Sequence, residues 1–536
     1  MLINDQACAA QARRLRKRGT VATPKFRTVI NHRICEGCGD CGEVSNCLSV
    51  QPLETPLGLK TTIDQTSCNL DFSCLEGDCP SFMTIEIGDE DVATSAAAPI
   101  DVSSLPAPAH RDLGADVLGI RLAGIGGTGV VTVAQIIGTA AMFDGKQVRG
   151  LDQTGLSQKA GPVVSDLRLS VGEPAVSNLL GSGGADVIVA FDLLVGADDK
   201  TLDSAGPQTR FIASTSPTPT GAMIGHPELP YPTDGDLVSR VAARTDGAVA
   251  IFVDAASIAH ALFGSTSSVN IFLLGVAVQD GAIPIGPAAV ERAIALNGVA
   301  VDMNVAAFRA GRSWRVDPAS VAVGSHVTTT GPEVVVRPLS KTLSKKVEGV
   351  GGQHVELIRL LAADLVDYQN SAYAERFLDL IGRVSEVDDD GSFTEAAARG
   401  LHKFMAYKDE YEVARLLVGP EGASAARVVG GPKAKVSWRL HPPVLKAGGL
   451  KKKLSLPAAQ TAPAMKLLYR GRRLRGTAFD PFGRAEVRRV ERALIDDYTA
   501  GLQTLVSQDR RPGRRTSAEA ASGRPDSPSM CGVMRT

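Results

Sequence analysis

Several absences narrow this sequence before any motif is read. There is no long apolar run: the longest, such as NIFLLGVAV at 270–278, fall far short of the ~20 residues a membrane span needs. There is no signal-peptide opening, because Met1 is not followed by a basic n-region and an apolar h-region. Cysteine is missing from most of the chain: eight of the nine lie within the first 79 residues at ligand-like spacings, which argues against a secreted disulfide framework. No internal repeat is evident, apart from a weak duplication within the cysteine-bearing stretch. Together these absences predict a cytoplasmic protein without a membrane span.

What is present divides the chain. Its 536 residues exceed one core and predict about three domains at ~150 residues each. The formal net charge is only −1, yet residues 1–30 carry seven Lys/Arg against Asp5 alone, while residues 31–90 carry eleven acids against Arg33 and Lys60. A basic lead-in (1–30) therefore precedes an acidic cysteine module (31–90). Residues 91–115, rich in Ala, Ser and Pro, read as a linker. From 116 to about 315 a strand, a glycine turn and an Ala-rich helix are followed by apolar runs at 185–194, 250–256 and 270–278 that read as buried strands. This is the text of an α/β domain with a mainly parallel sheet. Residues 330–505 are Leu-rich, charged and helical, with Ser392 and Thr394 as cap-like residues. Residues 506–536 form a polar tail with no apolar pattern, expected to be disordered.

Within CEGCGDCGEVSNC, the thiols of Cys35, Cys38 and Cys41 recur every three residues in a Gly-containing loop. Three thiolates so spaced converge on the corners of a [4Fe–4S] cluster. A structural zinc site takes two ligand pairs and has no use for such a triple. A second set follows at Cys68, Cys74 and Cys79, the last followed by Pro80, and the intervening GLKTTIDQTSC resembles the second half of a bacterial ferredoxin. Under the ferredoxin crossing rule Cys35, Cys38 and Cys41 share a cluster with Cys79, while Cys47 reaches toward Cys68 and Cys74. The second cluster then needs an outside ligand such as Cys8, Asp71 or Asp78. The alternative is one cluster held by Cys35, Cys38, Cys41 and Cys47 beside a structural trio.

GIGGTG at 124–129 follows a strand and opens a helix, and its Gly124, Gly126, Gly127, Thr128 and Gly129 match a phosphate-cradling turn. Asp152 lies at the spacing of a ribose acceptor. The other reading is a glycine turn for close strand–helix packing or for a partner. Downstream, Gln153, Gln158 and Lys159 crowd a Gly-rich loop between helix and strand, where α/β sheets bind ligands.

The stretches DQACAAQARRLRKRG, CEGCGDCGEVSNCLSVQPLET, IDQTSCNLDFSC, GDCPSF, GIGGTGVVT, GLSQKAGPVVS, MAYKDEYEVARL and LRGTAFDPFG, spanning residue 5 to about 500, resemble the C-terminal half of the long, fused form of indolepyruvate ferredoxin oxidoreductase, a 2-oxoacid:ferredoxin oxidoreductase. The resemblance implies a ferredoxin-like iron–sulfur module, a gamma-type α/β domain and a mostly helical C-terminal domain. It implies CoA-dependent oxidative decarboxylation of an aryl-pyruvate, with two electrons leaving singly through [4Fe–4S] clusters to ferredoxin. It turns the glycine loop, Gln158 and Lys159 toward the thiamine or coenzyme A side, and it absorbs the basic RRLRKR arm, otherwise suggestive of nucleic acid, into the lead-in to the cluster module. The acidic residues Glu36, Asp40 and Glu43 would tune the clusters or dock ferredoxin. Lys408, Asp409, Glu410 and Glu412 read most simply as a solvated helix face.

Two departures from the family are visible. No G-D-G followed by an Asn-rich stretch is present to hold magnesium and thiamine diphosphate, so those belong to a separate half, and this chain alone is expected to be inactive. The full enzyme is expected to be a homo-oligomer. The chain also ends SPSMCGVMRT, and PSMCGVM read one nucleotide earlier permits the Glu-His-Val-Arg-Gly-Tyr ending of the family. That predicts a frameshift near residues 503–510, with Cys531 beyond it. The competing expectations are a non-catalytic iron–sulfur module or gene remnant, and a zinc-stabilised adaptor.

Overall fold

The computed structural model describes residues 8–87, 100–109, 117–154, 161–226, 229–245, 250–321, 334, 336–441 and 453–509. The linker is described only at 100–109, where Ile100 packs on the α/β core and Pro106 O accepts from Gln279 Nε2 at 2.9 Å. The polar tail from 510 onward, Cys531 included, lies outside these residues, and the last helix, Glu486–Asp509, runs through most of the proposed frameshift region. Among the described residues no helix is long and apolar enough to cross a membrane.

In the cysteine module β1 (Phe26–Ile30) pairs antiparallel with β4 (Phe82–Glu86), while β2 (Val50–Thr55) and β3 (Gly58–Ile63) form a separate two-stranded hairpin. The basic lead-in is a helix, Ala9–Lys17. Its Arg13 and Arg16 donate to the carbonyls of Thr66, Ser67 and Asn69 around Cys68, so these two charges are spent inside the chain.

The α/β domain is built on β5 (Leu118–Ile125), whose eight residues are all buried. With β6 (Gln147–Thr154), β7 (Pro162–Ser170), β8 (Ala185–Ala190), β9 (Ala205–Ser214) and β10 (Ala250–Val253) it forms a sheet of order β10-β9-β8-β5-β7-β6. β10, β9, β8 and β5 run parallel, while β7 pairs antiparallel with both β5 and β6. The sheet is therefore mixed: only seven residues separate the end of β6 from the start of β7, fewer than the dozen or so a crossover between parallel strands needs. Across β5 and β7, Arg121 and Asp166 form a buried two-bond pair at 2.8 and 2.9 Å.

NIFLLGVAV is not a strand. It lies in the helix Val269–Gln279, every residue of which is buried. A helix enclosed on all sides shows no apolar stripe, so periodicity cannot separate it from a buried strand. It packs against the helix Val301–Val316 so closely that a Cβ at Gly275 would overlap Phe308 O, and one at Gly311 would overlap Phe272 O.

The C-terminal domain is mostly helical, with a core around Tyr368, Phe377, Ile381 and Leu401. After Gly391 the chain forms two helices, Ser392–Met405 and Glu410–Leu417. Ser392 and Thr394 do not cap; their own amides donate to Asp390 Oδ1 (2.9 Å) and Asp388 Oδ2 (2.6 Å). The domain also carries two strands, β11 (Lys435–Leu440) and β12 (Leu454–Pro457), and they are not its own: β11 pairs antiparallel with β4, giving one sheet β1-β4-β11-β12. The cysteine module is thus completed by residues some 350 positions downstream of β4.

Candidate functional site

None of Cys35, Cys38, Cys41, Cys47, Cys68, Cys74 and Cys79 is in a disulfide. The thiols of Cys35, Cys41, Cys47 and Cys74 are buried, and together with Ile30, Val50, Ile63, Phe82 and Ile224 they form one apolar seat, with Cys68 and Cys79 packed against it. Local sequence brings them there. Gly37 and Gly39 turn the chain at φ 65° and 79°, a conformation that costs glycine little. At Gly37 a Cβ would also overlap Leu59 O of the hairpin. Cys41 then sits in the short helix Asp40–Ser45, Cys74 in the turn Ser73–Glu76, and Cys79 just before β4.

The electrostatics sort the thiols into two groups. Burial, and next the neighbouring thiolates of Cys79, Cys35, Cys38 and Cys74, push the Cys41 thiol up. Burial with Cys35 and Cys38 pushes Cys79 up to about 12, against the opposing pull of Ser81. Burial, then Cys68, Cys47 and Asp71, raises Cys74 to about 12. Burial also raises Cys68, with Cys47 and Asp71 adding and the Leu70 amide and Arg27 opposing. Cys35, Cys38, Cys41 and Cys79 therefore act mainly on one another, and Cys47, Cys68 and Cys74 on one another beside Asp71, with Cys74 also raising Cys41 across the two groups. Among the described residues no three or more His, Cys, Asp or Glu side chains already stand in a metal-binding arrangement. The donor chemistry does fit a polycationic group: soft thiols crowded in an apolar seat repel as thiolates, and a bound metal cluster relieves that repulsion. Donors to sulfur are in place, from Gly37 N to Cys35 Sγ (3.4 Å) and Leu70 N to Cys68 Sγ (3.5 Å), with Ser81 Oγ 2.9 Å from Cys79 Sγ.

The glycine loop stands at the C-terminal end of β5. Gly124 is its packed base, where a Cβ would press on Val130, Phe191 and Asp192. Ile125 N donates to Asp192 Oδ2 at 2.7 Å, Gly126 N to Gly161 O at 2.8 Å, and Asn270 Nδ2 to Thr128 O at 3.2 Å. Burial raises the Asp192 carboxyl to about 6, against the amides of Val195 and Ile125. A phosphate would compete with this carboxylate for the loop base, so only Gly127 and Thr128 are presented outward, with Gly129 at φ 106° opening the helix Val130–Phe143. Asp152 is not beside the loop: it lies on β6, with β7 between it and β5, and its Oδ1 accepts from Ser165 Oγ at 2.6 Å. Gln158 and Lys159 lie outside the described residues.

The thiol seat rests on this same end of the sheet. A Cβ at Gly42 would overlap Ile224 O in the helix Gly221–Gly225 that follows β9. Leu48, next to Cys47, packs on Ala123, Ile125 and Val195. Ile224 and Asp192 carried no signal in the sequence, since each acquires its place only through strand order.

Glu36 forms an ion pair with Lys408 Nζ at 3.5 Å. One expectation about charge is corrected. Asp409 and Glu412 are buried rather than solvated: Asp409 caps the helix Glu410–Leu417 and binds Arg475 (2.5 and 2.8 Å), and Glu412 binds Arg415 (2.7 and 2.8 Å).

Residues 119–314 match the family model described as pyruvate ferredoxin/flavodoxin oxidoreductase, and residues 354–524 match a family of unknown function, DUF6537. The chain is 29% identical over 194 residues to indolepyruvate oxidoreductase subunit IorB of Methanothermobacter thermautotrophicus, covering 36% of this chain and 94% of that one. It is 27% identical to the subunit of the same name from Pyrococcus horikoshii, over 36% of this chain and 93% of that one. Among solved structures, the pyruvate oxidoreductase subunit PORC of Thermotoga maritima is 19% identical over 37% of this chain and 96% of its own, with a TM-score of 0.28. Residues 119–314 thus match the pyruvate ferredoxin/flavodoxin oxidoreductase model and, over much the same length, are similar to indolepyruvate oxidoreductase subunits.

Proposed function

We propose that the chain is the electron-transfer and gamma portion of an indolepyruvate, or aryl-pyruvate, ferredoxin oxidoreductase. In the overall reaction a 2-oxoacid and coenzyme A give acyl-CoA, carbon dioxide, a proton and two electrons. The thiamine diphosphate and magnesium that this chemistry needs belong, on this reading, to a partner half. The names of the relatives support the substrate class. The observation that carries the role of this chain is the seating of two thiol groups on the C-terminal end of the gamma sheet, through Gly42 against Ile224 and Leu48 against Ile125.

An iron–sulfur cluster supplies one-electron transfer when bound. Cys35, Cys38, Cys41 and Cys79 would hold the first. Cys47, Cys68 and Cys74 would hold the second, with Asp71, which faces both Cys68 and Cys74, as the nearest-placed of the outside ligands considered. The chain's own part is to hold these thiols in a dry seat, to donate N–H groups to their sulfurs, and to keep the exposed Gly127 and Thr128 free for the partner.

The test is co-expression with a thiamine-binding half, followed by assay of ferredoxin reduction dependent on indolepyruvate and coenzyme A. The complex is expected to turn over and each half alone to be inactive. A complex that assembles with its clusters filled and still fails to reduce ferredoxin with any aryl-pyruvate would overturn the proposal.

A further inference from the structure

We infer that the C-terminal domain, which matches a family of unknown function, seats the cysteine module and sets the reduction potential of its first thiol group, with Lys453 supplying the charge. The inference rests on reading Cys35, Cys38, Cys41 and Cys79 as cluster ligands.

Three contacts converge on the segment that carries Cys79. β11 takes the free edge of β4 in the register Lys435↔Glu86 to Trp438↔Met83, so the strand leaving Cys79 is held between β1 and a strand of the C-terminal domain. His441 Nδ1 lies 2.7 Å from Asp78 Oδ1, one residue before Cys79. Lys453 Nζ donates to Cys79 O at 3.0 Å and stands 5.0 Å from the centre of the Phe82 ring, a residue of the thiol seat itself. His441 directly follows β11 and Lys453 directly precedes β12, so the two strands bring both side chains to one ligand-bearing turn. Lys453 is half-buried.

A cluster held by four thiolates becomes more negative on reduction. A fixed, partly desolvated ammonium beside one of its ligands stabilises the reduced form more than the oxidised one and raises the potential. Of the second group, Cys47, Cys68 and Cys74, only Cys74 bears on Lys453, and it does so less than Cys79. Lys453 is therefore a positioning residue: it touches the backbone of a ligand and acts through its charge.

The full chain is reconstituted anaerobically with iron and sulfide, and its reduction is followed by EPR against applied potential. In K453M one cluster signal is expected to move to lower potential. In K453E the same signal should move further, in K453R it should stay at the wild-type value, and the other signal should move less than the first in K453M and K453E. Unchanged midpoints in K453E, at wild-type iron content and circular dichroism, would overturn the inference, as would equal shifts in K453R and K453M, which mark a structural disturbance. A wild-type protein that takes up no iron fails at the first step and removes the cluster reading itself, an outcome separate from any change among the variants.

Discussion

Arg33 Nη2 and Asp364 Oδ1 meet at 2.5 Å although 331 positions separate them, and both side chains are almost wholly withdrawn from water. Asp364 also accepts from Arg415 Nη2 at 2.7 Å and lies 3.1 Å from His402 Nε2, while Glu421 sits 3.5 Å from Arg33 Nε as an ion pair without hydrogen-bond geometry. Burial alone would raise the Asp364 carboxyl; Arg33, Arg415 and His402 outweigh it and hold the group well below the usual carboxylate range. The residue two before Cys35 is thus anchored in the core of the C-terminal domain.

Removing that anchor should be costly. D364A takes away the carboxylate shared by two buried guanidinium groups, leaving Arg33 only Glu421 and Arg415 only Glu412, and is expected to lose ~3 kcal/mol, the low end of the scale for breaking a buried pair from one side. R33M leaves Asp364 with Arg415 and His402 and should lose less. Guanidinium-induced unfolding of both variants measures this, and a midpoint for D364A equal to that of the wild type would contradict the structural role assigned here.

The division of the thiols predicts separable losses. C79A should remove the first cluster and spare the second, and C74A the reverse, each leaving about half of the iron if both sites fill with a cluster of the same kind. Iron and acid-labile sulfide analysis with EPR reads the result. If C79A retained all of the iron, Cys79 would not be a ligand, and the single-cluster arrangement on Cys35, Cys38, Cys41 and Cys47 would be preferred.

The contact between module and sheet can be loosened at one atom. G42A introduces a Cβ where Ile224 O already stands, and overpacking of this kind costs ~1–3 kcal/mol. Hydrogen exchange is expected to quicken in residues 40–47 and 220–225 and to stay unchanged in β8. Unaltered exchange in both segments would show that they do not pack as described.

His32 gives a pH dependence with a definite sign. Burial, aided by Lys60, lowers its imidazole to about 4, and its Nε2 is buried without a hydrogen-bond partner. Between about pH 6.5 and 4 the unfolded chain takes up a proton that the folded chain refuses, so this residue's contribution to stability falls as pH falls through that window. The full effect is on the order of 3 kcal/mol. Asp192, whose carboxyl is raised, works in the opposite direction, but it is common to wild type and variant. H32Q should therefore unfold with a flatter dependence between pH 7 and pH 5, measured as denaturation midpoints; parallel profiles would exclude the burial of a neutral His32.

The spacing of the cysteines and the glycines at 37 and 39 were legible in the sequence because both are local requirements: three ligands per loop, and a positive φ that side chains resist. β5 and the glycine turn after it were legible for the same reason. The helix Val269–Gln279 was not, because complete burial erases the period that distinguishes helix from strand. Asp409 and Glu412 looked like solvated acids because their partners Arg475 and Arg415 decide their burial, and a charge pattern says nothing of what faces it across the fold.

By itself the sequence determined the cysteine spacing, its glycine turns and the order of the three regions, since these depend on neighbours along the chain. Only the tertiary structure decided which thiols face one another, that the cysteine module sits on the C-terminal end of the gamma sheet, and that β11, Arg33–Asp364 and Lys453 bind the first and last regions into one unit. Each of those is a pairing of backbone edges or buried charges hundreds of residues apart, fixed by the need to satisfy hydrogen bonds and charges away from water.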